Sequence, residues 1–131
     1  MLTLLFVGIG GGLGSVCRFG VSELGAKLLG KSFPFGIFIV NVVGCFAIGI
    51  VAAFLLEERF WVNVSTHHAR ALLITGFIGG FTTFSSFSLD ALMLFQKGEW
   101  TKAMTYIVLS VIISMVAVTI GFYLVKRCLT V

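Results

Sequence analysis

Residues 76–88 read Gly-Phe-Ile-Gly-Gly-Phe-Thr-Thr-Phe-Ser-Ser-Phe-Ser, and their side chains define a chemistry before any fold is known. Thr82, Thr83, Ser85, Ser86 and Ser88 are hydroxyl donors. Phe77, Phe81, Phe84 and Phe87 follow an i, i+4, i+7, i+10 spacing that keeps them roughly on one helical face. Aromatic ring edges carry the positive part of the ring quadrupole, so hydroxyls and edges at one depth suit an ion stripped of water, and an anion in particular. Asn41 adds an amide with two N–H donors. Tyr106, Ser110, Ser114, Ala117 and Gly121 fall at i, i+3/i+4 steps, one stripe of hydroxyls and small residues; it reads either as tight helix packing or as a track for a dehydrated anion.

These residues lie inside apolar runs. Of the 131 residues, 59% are hydrophobic and 11% charged. Four uncharged stretches, Met1–Cys17, Phe33–Leu56, Ala71–Leu89 and Ala103–Val125, approach the roughly 20 residues that cross about 30 Å of hydrocarbon as a helix. The expectation is an all-α integral membrane protein with a single four-helix transmembrane domain over residues 1–131. Polar connections fall around Lys27–Ser32, Glu57–Arg70 and Gln96–Lys102, with Trp61 and Trp100 at opposite interfaces. The amino terminus lacks the basic region and cleavage site of a secretory signal and is read as the first helix.

Within that frame residues 76–88 are built to interrupt the third helix near mid-membrane. Paired glycines are poor helix formers, and Ser/Thr hydroxyls offer the backbone alternative partners. An unsatisfied backbone group in hydrocarbon costs several kcal/mol, so such a break persists only where protein or a polar cavity surrounds it.

Gly8–Gly12 and Gly10–Gly14 are GxxxG pairs that allow close helix approach. A dinucleotide fingerprint would need a βαβ unit and a following acidic residue, and neither is present. Arg18 suits either snorkelling to the interface or an anion vestibule. In the second helix Ser32 is a candidate cap and Pro34 a first-turn residue. Asn41 lies about 10 Å deep at 1.5 Å per residue, as interhelical glue or as an anion donor. Asn41, Gly44, Cys45 and Ile48 share a narrow face.

No Asp or Glu lies near the centre of a span, and Asp90 lies towards the far end of the third. Proton-coupled carriers commonly place ionisable groups in the pathway, so passive conduction is favoured. His67 and His68 read as solvated loop residues, Cys17, Cys45 and Cys128 as small hydrophobes, and no nucleophile–base pair suggests an enzyme. The net charge of +4 reads as the basic flanks of membrane helices, with no nucleic-acid partner.

With four spans, Arg59, Arg70, Lys126 and Arg127 lie on one side, and Lys27, Lys31, Lys97 and Lys102 on the other. Lys/Arg asymmetry sets orientation. This balance therefore allows dual insertion and an antiparallel homodimer, the alternative being a fixed topology set by subtler cues.

Together, the glycines before Arg18, Val40-Asn41 with Gly44, and Gly79-Gly80-Phe81-Thr82-Thr83-Phe84-Ser85-Ser86-Phe87-Ser88 resemble the Fluc-type fluoride channels, also called CrcB-like proteins. The likeness spans essentially the whole chain. It implies an antiparallel dual-topology dimer in the cytoplasmic (inner) membrane, with two fluoride pores, a central structural Na+ and a role in fluoride resistance. Phe84 and Phe87 correspond to the pore phenylalanines, Asn41 to the orienting donor, and Ser110 and Ser114 to the polar track. Arg18 corresponds to the pore-mouth arginine, and Thr83 and Ser85 are read beside these as further candidate anion-binding hydroxyls. The carbonyls of Gly79 and Thr82 correspond to the Na+ ligands. Ser86 stands where many members have threonine, and Asp90 where glutamate is commoner. The runner-up is a small dual-topology multidrug exporter, which would want a carboxylate in its first helix where this chain has glycines and aliphatics.

Overall fold

A computed structural model describes residues 1–56 and 64–129. All of its regular structure is helical: α1 (Leu2–Leu29), α2 (Phe35–Leu56), α3 (Val64–Arg70), a π-helical segment (Ala71–Ile78), α4 (Gly79–Phe81), α5 (Phe84–Gln96) and α6 (Trp100–Leu129). Four helical stretches are long and apolar enough to cross a membrane: Leu2–Leu29, Phe35–Phe54, His67–Gln96 and Trp100–Leu129. Trp61 and Arg59 of the interface and charge readings fall outside the described residues. Trp100 is exposed at the start of α6.

Helix boundaries depart from the apolar runs for local reasons. The first helix continues well past Cys17, through Arg18, Glu23 and Lys27 to Leu29, because polar residues at a helix end need not end it when they can reach solvent. Gly30, at φ 84°, ends it in a conformation that favours glycine. The second helix begins at Phe35, later than Ser32. Pro34 stands just before the first turn, its carbonyl accepting from the Phe38 N–H at 3.2 Å. Gly98, at φ 75°, turns the chain from α5 into α6.

Glycines set the packing. On α1, a Cβ at Gly10 or Gly14 would run into backbone of the Leu72–Phe81 stretch, whereas Gly8 and Gly12 face open space. Only the Gly10–Gly14 pair therefore works as an interhelical contact inside this chain. Gly80 meets Gly11 backbone to backbone, and Gly49 on α2 and Gly121 on α6 do the same at the α2–α6 contact. Gly14→Leu is expected to abolish recovery of a monodisperse protein, since backbone cannot yield to a side chain there. Gly12→Leu should leave the subunit's fold intact. Size-exclusion profiles of the two variants in detergent check this contrast, and equal behaviour would contradict it.

The buried stripe of α6, comprising Ala103, Tyr106, Ser110, Ala117, Gly121 and Val125, matches the periodicity of its small and hydroxyl residues. Around its first turns Phe87, Ala91, Leu94, Ala103 and Tyr106 form the core, flanked by Phe33, Ile37, Phe38, Phe95 and Ile107. Elsewhere the spans are largely unburied, with at most 22% of each span's apolar window enclosed. An exterior of Leu, Ile, Val and Phe on that scale requires hydrocarbon or another subunit around it.

Candidate functional site

The residues with ion chemistry converge because the backbone leaves the helix at two positions. Gly79 and Gly80 are themselves helical, so of the two causes of interruption read from the sequence, paired glycines and Ser/Thr hydroxyls, it is at the hydroxyl residues that the backbone leaves the helix. Thr82 (φ −74°, ψ 154°) and Thr83 (φ −154°, ψ 119°) are the extended residues. The Thr83 backbone is held from another helix. The Thr83 N–H donates to Asn41 Oδ1 at 2.9 Å, and Asn41 Nδ2 donates to the Thr83 carbonyl at 3.1 Å. One amide thus satisfies both polar groups of one peptide residue, which an apolar environment demands.

The helix restarts with a local cap. Thr83 Oγ1 accepts from the Ser86 N–H at 3.2 Å, the N-cap arrangement in which a threonine hydroxyl satisfies an orphan amide. Both bonds redirect donors. In a continuous α-helix the Thr83 N–H would point at the Gly79 carbonyl, and the Ser86 N–H at the Thr82 carbonyl. Here Asn41 and the Thr83 hydroxyl take them, so neither carbonyl receives its helical donor. Thr82 is tied back by its own N–H and Oγ1, both donating to the Ile78 carbonyl at 2.9 and 3.0 Å.

Beside this turn runs a groove of about 460 Å³ lined by Asn41, Cys45, Gly79, Thr82, Thr83, Phe84, Phe87, Ser110, Val111 and Ser114. It gathers eight of the ten site residues expected from sequence: Asn41, Thr83, Phe84, Phe87, Ser110 and Ser114, with Gly79 and Thr82. Thr83 and Ser110 are 8% and 6% exposed. The Ser110 hydroxyl is buried without a hydrogen-bond partner among the described residues, a costly state unless a ligand completes it. The rings of Phe84 and Phe87 lie 5.5 Å apart, inclined by 43°. Phe84 is 78% exposed and Phe87 only 9%, so one ring is held by the subunit and the other projects from it.

Two expected residues stand apart. Arg18 is half-buried on α1 and does not line the groove. Ser85 is exposed and shares a 3.1 Å hydrogen bond with the Thr83 hydroxyl. The four phenylalanines also divide: Phe77 and Phe81 stack in parallel at 6.2 Å, outside the groove, because the extended residues break the periodicity between Phe81 and Phe84. Asn41 takes the interhelical role that the sequence offered as one of two. One of its N–H donors is committed to Thr83, leaving one for a ligand. No clusters of His, Cys, Asp or Glu suited to a metal occur among the described residues.

The sequence profile described as CrcB-like protein, Camphor Resistance (CrcB) matches residues 5–122, a stretch that contains every element of this site. The chain belongs to the CrcB-like family. Relatives named as the fluoride-specific ion channel FluC match this CrcB-like protein over nearly its whole length. That of Francisella philomiragia is 48% identical, covering 93% of each chain. That of Francisella tularensis subsp. mediasiatica is 49% identical over 95% of each. The Rhizobium etli protein is 48% identical over 96% of this chain and 98% of its own.

Proposed function

We propose that this CrcB-like protein is a fluoride-selective channel of the cytoplasmic membrane that conducts the anion passively and lowers its cytoplasmic level. The observation that carries the reading is the groove in which Asn41, Thr83, Phe84, Phe87, Ser110 and Ser114 converge, with the buried Ser110 hydroxyl unpartnered. The relatives' printed names support the choice of anion. Fluoride is small and strongly hydrated, so its pathway must replace lost water with hydrogen bonds. Hydroxyls, an amide N–H and aromatic edges supply several weak sites, from which an ion can still leave. An inside-negative potential drives an anion outward by about 2.3 kcal/mol per 100 mV.

Phe84→Ile and Phe87→Ile retain apolar bulk and remove the ring edge. Each variant is expected to assemble normally and to pass at least about tenfold less fluoride from liposomes, read with a fluoride electrode. Wild-type flux in both would remove the aromatic edges from the mechanism.

The reading includes an antiparallel homodimer with two pores, in which the third span is interrupted near mid-membrane. The projecting Phe84 ring and the open faces of Gly8 and Gly12 support a partner surface. A structural Na+ belongs to the reading too, held by the Gly79 and Thr82 carbonyls, which the redirected amides leave without their helical donors. Two neutral carbonyl oxygens per subunit suit a hard cation, and a bound Na+ would supply positive charge that offsets repulsion between two anion pathways. Dual insertion predicts that a carboxy-terminal reporter registers cytoplasmic and external populations in comparable amounts. A single orientation would exclude the antiparallel dimer.

A further inference from the structure

We infer that Phe33, in the turn between α1 and α2, is a positioning residue for the pore aromatic Phe87, acting through Tyr106; this rests on the fluoride-channel reading above. Four rings form an unbroken series from that turn to the groove. The Phe33 ring meets Tyr106 edge-on, 5.5 Å away and at 89°. Tyr106 lies 5.2 Å from Phe87 at 45°, and Phe87 lies 5.5 Å from Phe84. Edge-to-face and tilted pairs at these separations are favoured aromatic geometries, so each ring limits the orientation of the next.

Tyr106 is 0% exposed, enclosed between the Phe33 and Phe87 rings. Its hydroxyl makes only one long contact, 3.5 Å to Asp90 Oδ2. Packing, and Phe33 in particular, must therefore hold the ring in place. Phe87 is nearly buried and leans on Tyr106, whereas Phe84 projects freely. The angle at which Phe87 offers its edge to an anion is thus set from behind, by a residue that does not touch the groove.

The turn is rigid enough for that task. Pro34 restricts Phe33 to extended backbone, and the Phe35 N–H donates to the Phe33 carbonyl at 2.8 Å. The Phe35 ring backs that of Phe33 at 4.7 Å. On its other side Phe33 lines a separate cleft of about 240 Å³ together with Ser22, Lys31 and Asp90. Removing the Phe33 ring opens that cleft towards Tyr106 and gives the tyrosine room to swing away from Phe87.

The test compares wild type, Phe33→Leu, Phe33→Tyr and Phe33→Trp in liposomes, measuring fluoride and chloride flux alongside thermal stability in detergent. Phe33→Leu keeps apolar volume and loses the ring. It is expected to raise chloride efflux above the protein-free background, so that the fluoride-to-chloride flux ratio falls at least fivefold, while Phe33→Tyr or Phe33→Trp keeps chloride at background and the ratio within twofold of wild type. Chloride efflux still at the protein-free background in Phe33→Leu, whether or not fluoride flux and stability fall together, makes Phe33 an ordinary packing residue and overturns the inference. Should Phe33→Leu fail to fold, the ring-bearing variants decide: a wild-type ratio in both upholds it, and an altered ratio in both overturns it. Wild-type protein that passes no fluoride would instead remove the channel reading itself, a result distinct from either outcome.

Discussion

Asn41→Asp is expected to reduce fluoride flux at least about a hundredfold, to the background of empty liposomes. Two effects act together. The amide clamp on Thr83 loses the donor that satisfies the Thr83 carbonyl at 3.1 Å, and a carboxylate oxygen then faces a carbonyl oxygen. An unmet buried polar group costs about 1–3 kcal/mol, so the extended turn between α4 and α5 loosens at the point where the groove is built. The carboxylate also places negative charge in the wall of an anion pathway. Asn41→Ser, which keeps a donor but no bidentate reach, is expected to retain a small fraction of the flux. A fluoride-electrode efflux assay on monodisperse protein measures both, and wild-type flux through Asn41→Asp would show that neither the clamp nor its charge matters.

Gly79→Leu and Gly80→Leu should fail in different ways although the residues are adjacent. A Cβ at Gly80 would collide with the backbone of Gly11, whereas the nearest atom to a Cβ at Gly79 is the Ile74 carbonyl oxygen at 3.5 Å, an ordinary contact. Gly80→Leu is therefore expected to abolish folding of the bundle. Gly79→Leu should leave the chain folded and still lower fluoride flux more than tenfold, because it adds bulk to a residue that lines the groove. Thr82→Ser should be mild: the hydroxyl bond to the Ile78 carbonyl survives, and only the methyl facing Gly44 is lost. Circular dichroism and size exclusion separate loss of fold from loss of flux. Full flux from Gly79→Leu would leave the carbonyl site without a role.

The sequence made the spans and most of the site legible, because both rest on patterns that act locally. Uninterrupted apolar runs identify membrane-crossing helices, and the spacing of Tyr106, Ser110 and Ala117 places them on one buried face. What stayed hidden depends on contacts distant in sequence. That Asn41 would clamp the Thr83 backbone required knowing that α2 lies against the start of α5, 42 residues away. Without that contact, the glycine pair and the Ser/Thr hydroxyls looked like joint causes of the interruption. Its glycines instead stay helical, Gly80 serving close approach to Gly11. The same uncertainty divided the GxxxG pairs, of which only Gly10–Gly14 faces a helix of its own chain. Arg18 and Ser85 carried suitable chemistry but do not line the groove, Ser85 reaching it only through its hydrogen bond to the Thr83 hydroxyl. Tyr106 shows the converse: its hydroxyl suggested a polar track, while its rings of contact with Phe33 and Phe87 define its place.

The central claim is passive, fluoride-selective conduction through this groove, and one measurement addresses it directly. Purified protein in potassium fluoride-loaded liposomes, with valinomycin to release the counter-charge and equal sodium on both sides, is assayed for efflux with a fluoride electrode, beside matched potassium chloride-loaded liposomes. Rapid fluoride efflux is expected without a sodium gradient, with chloride efflux no faster than from protein-free liposomes. Comparable chloride efflux, or fluoride efflux that requires a sodium gradient, would contradict it.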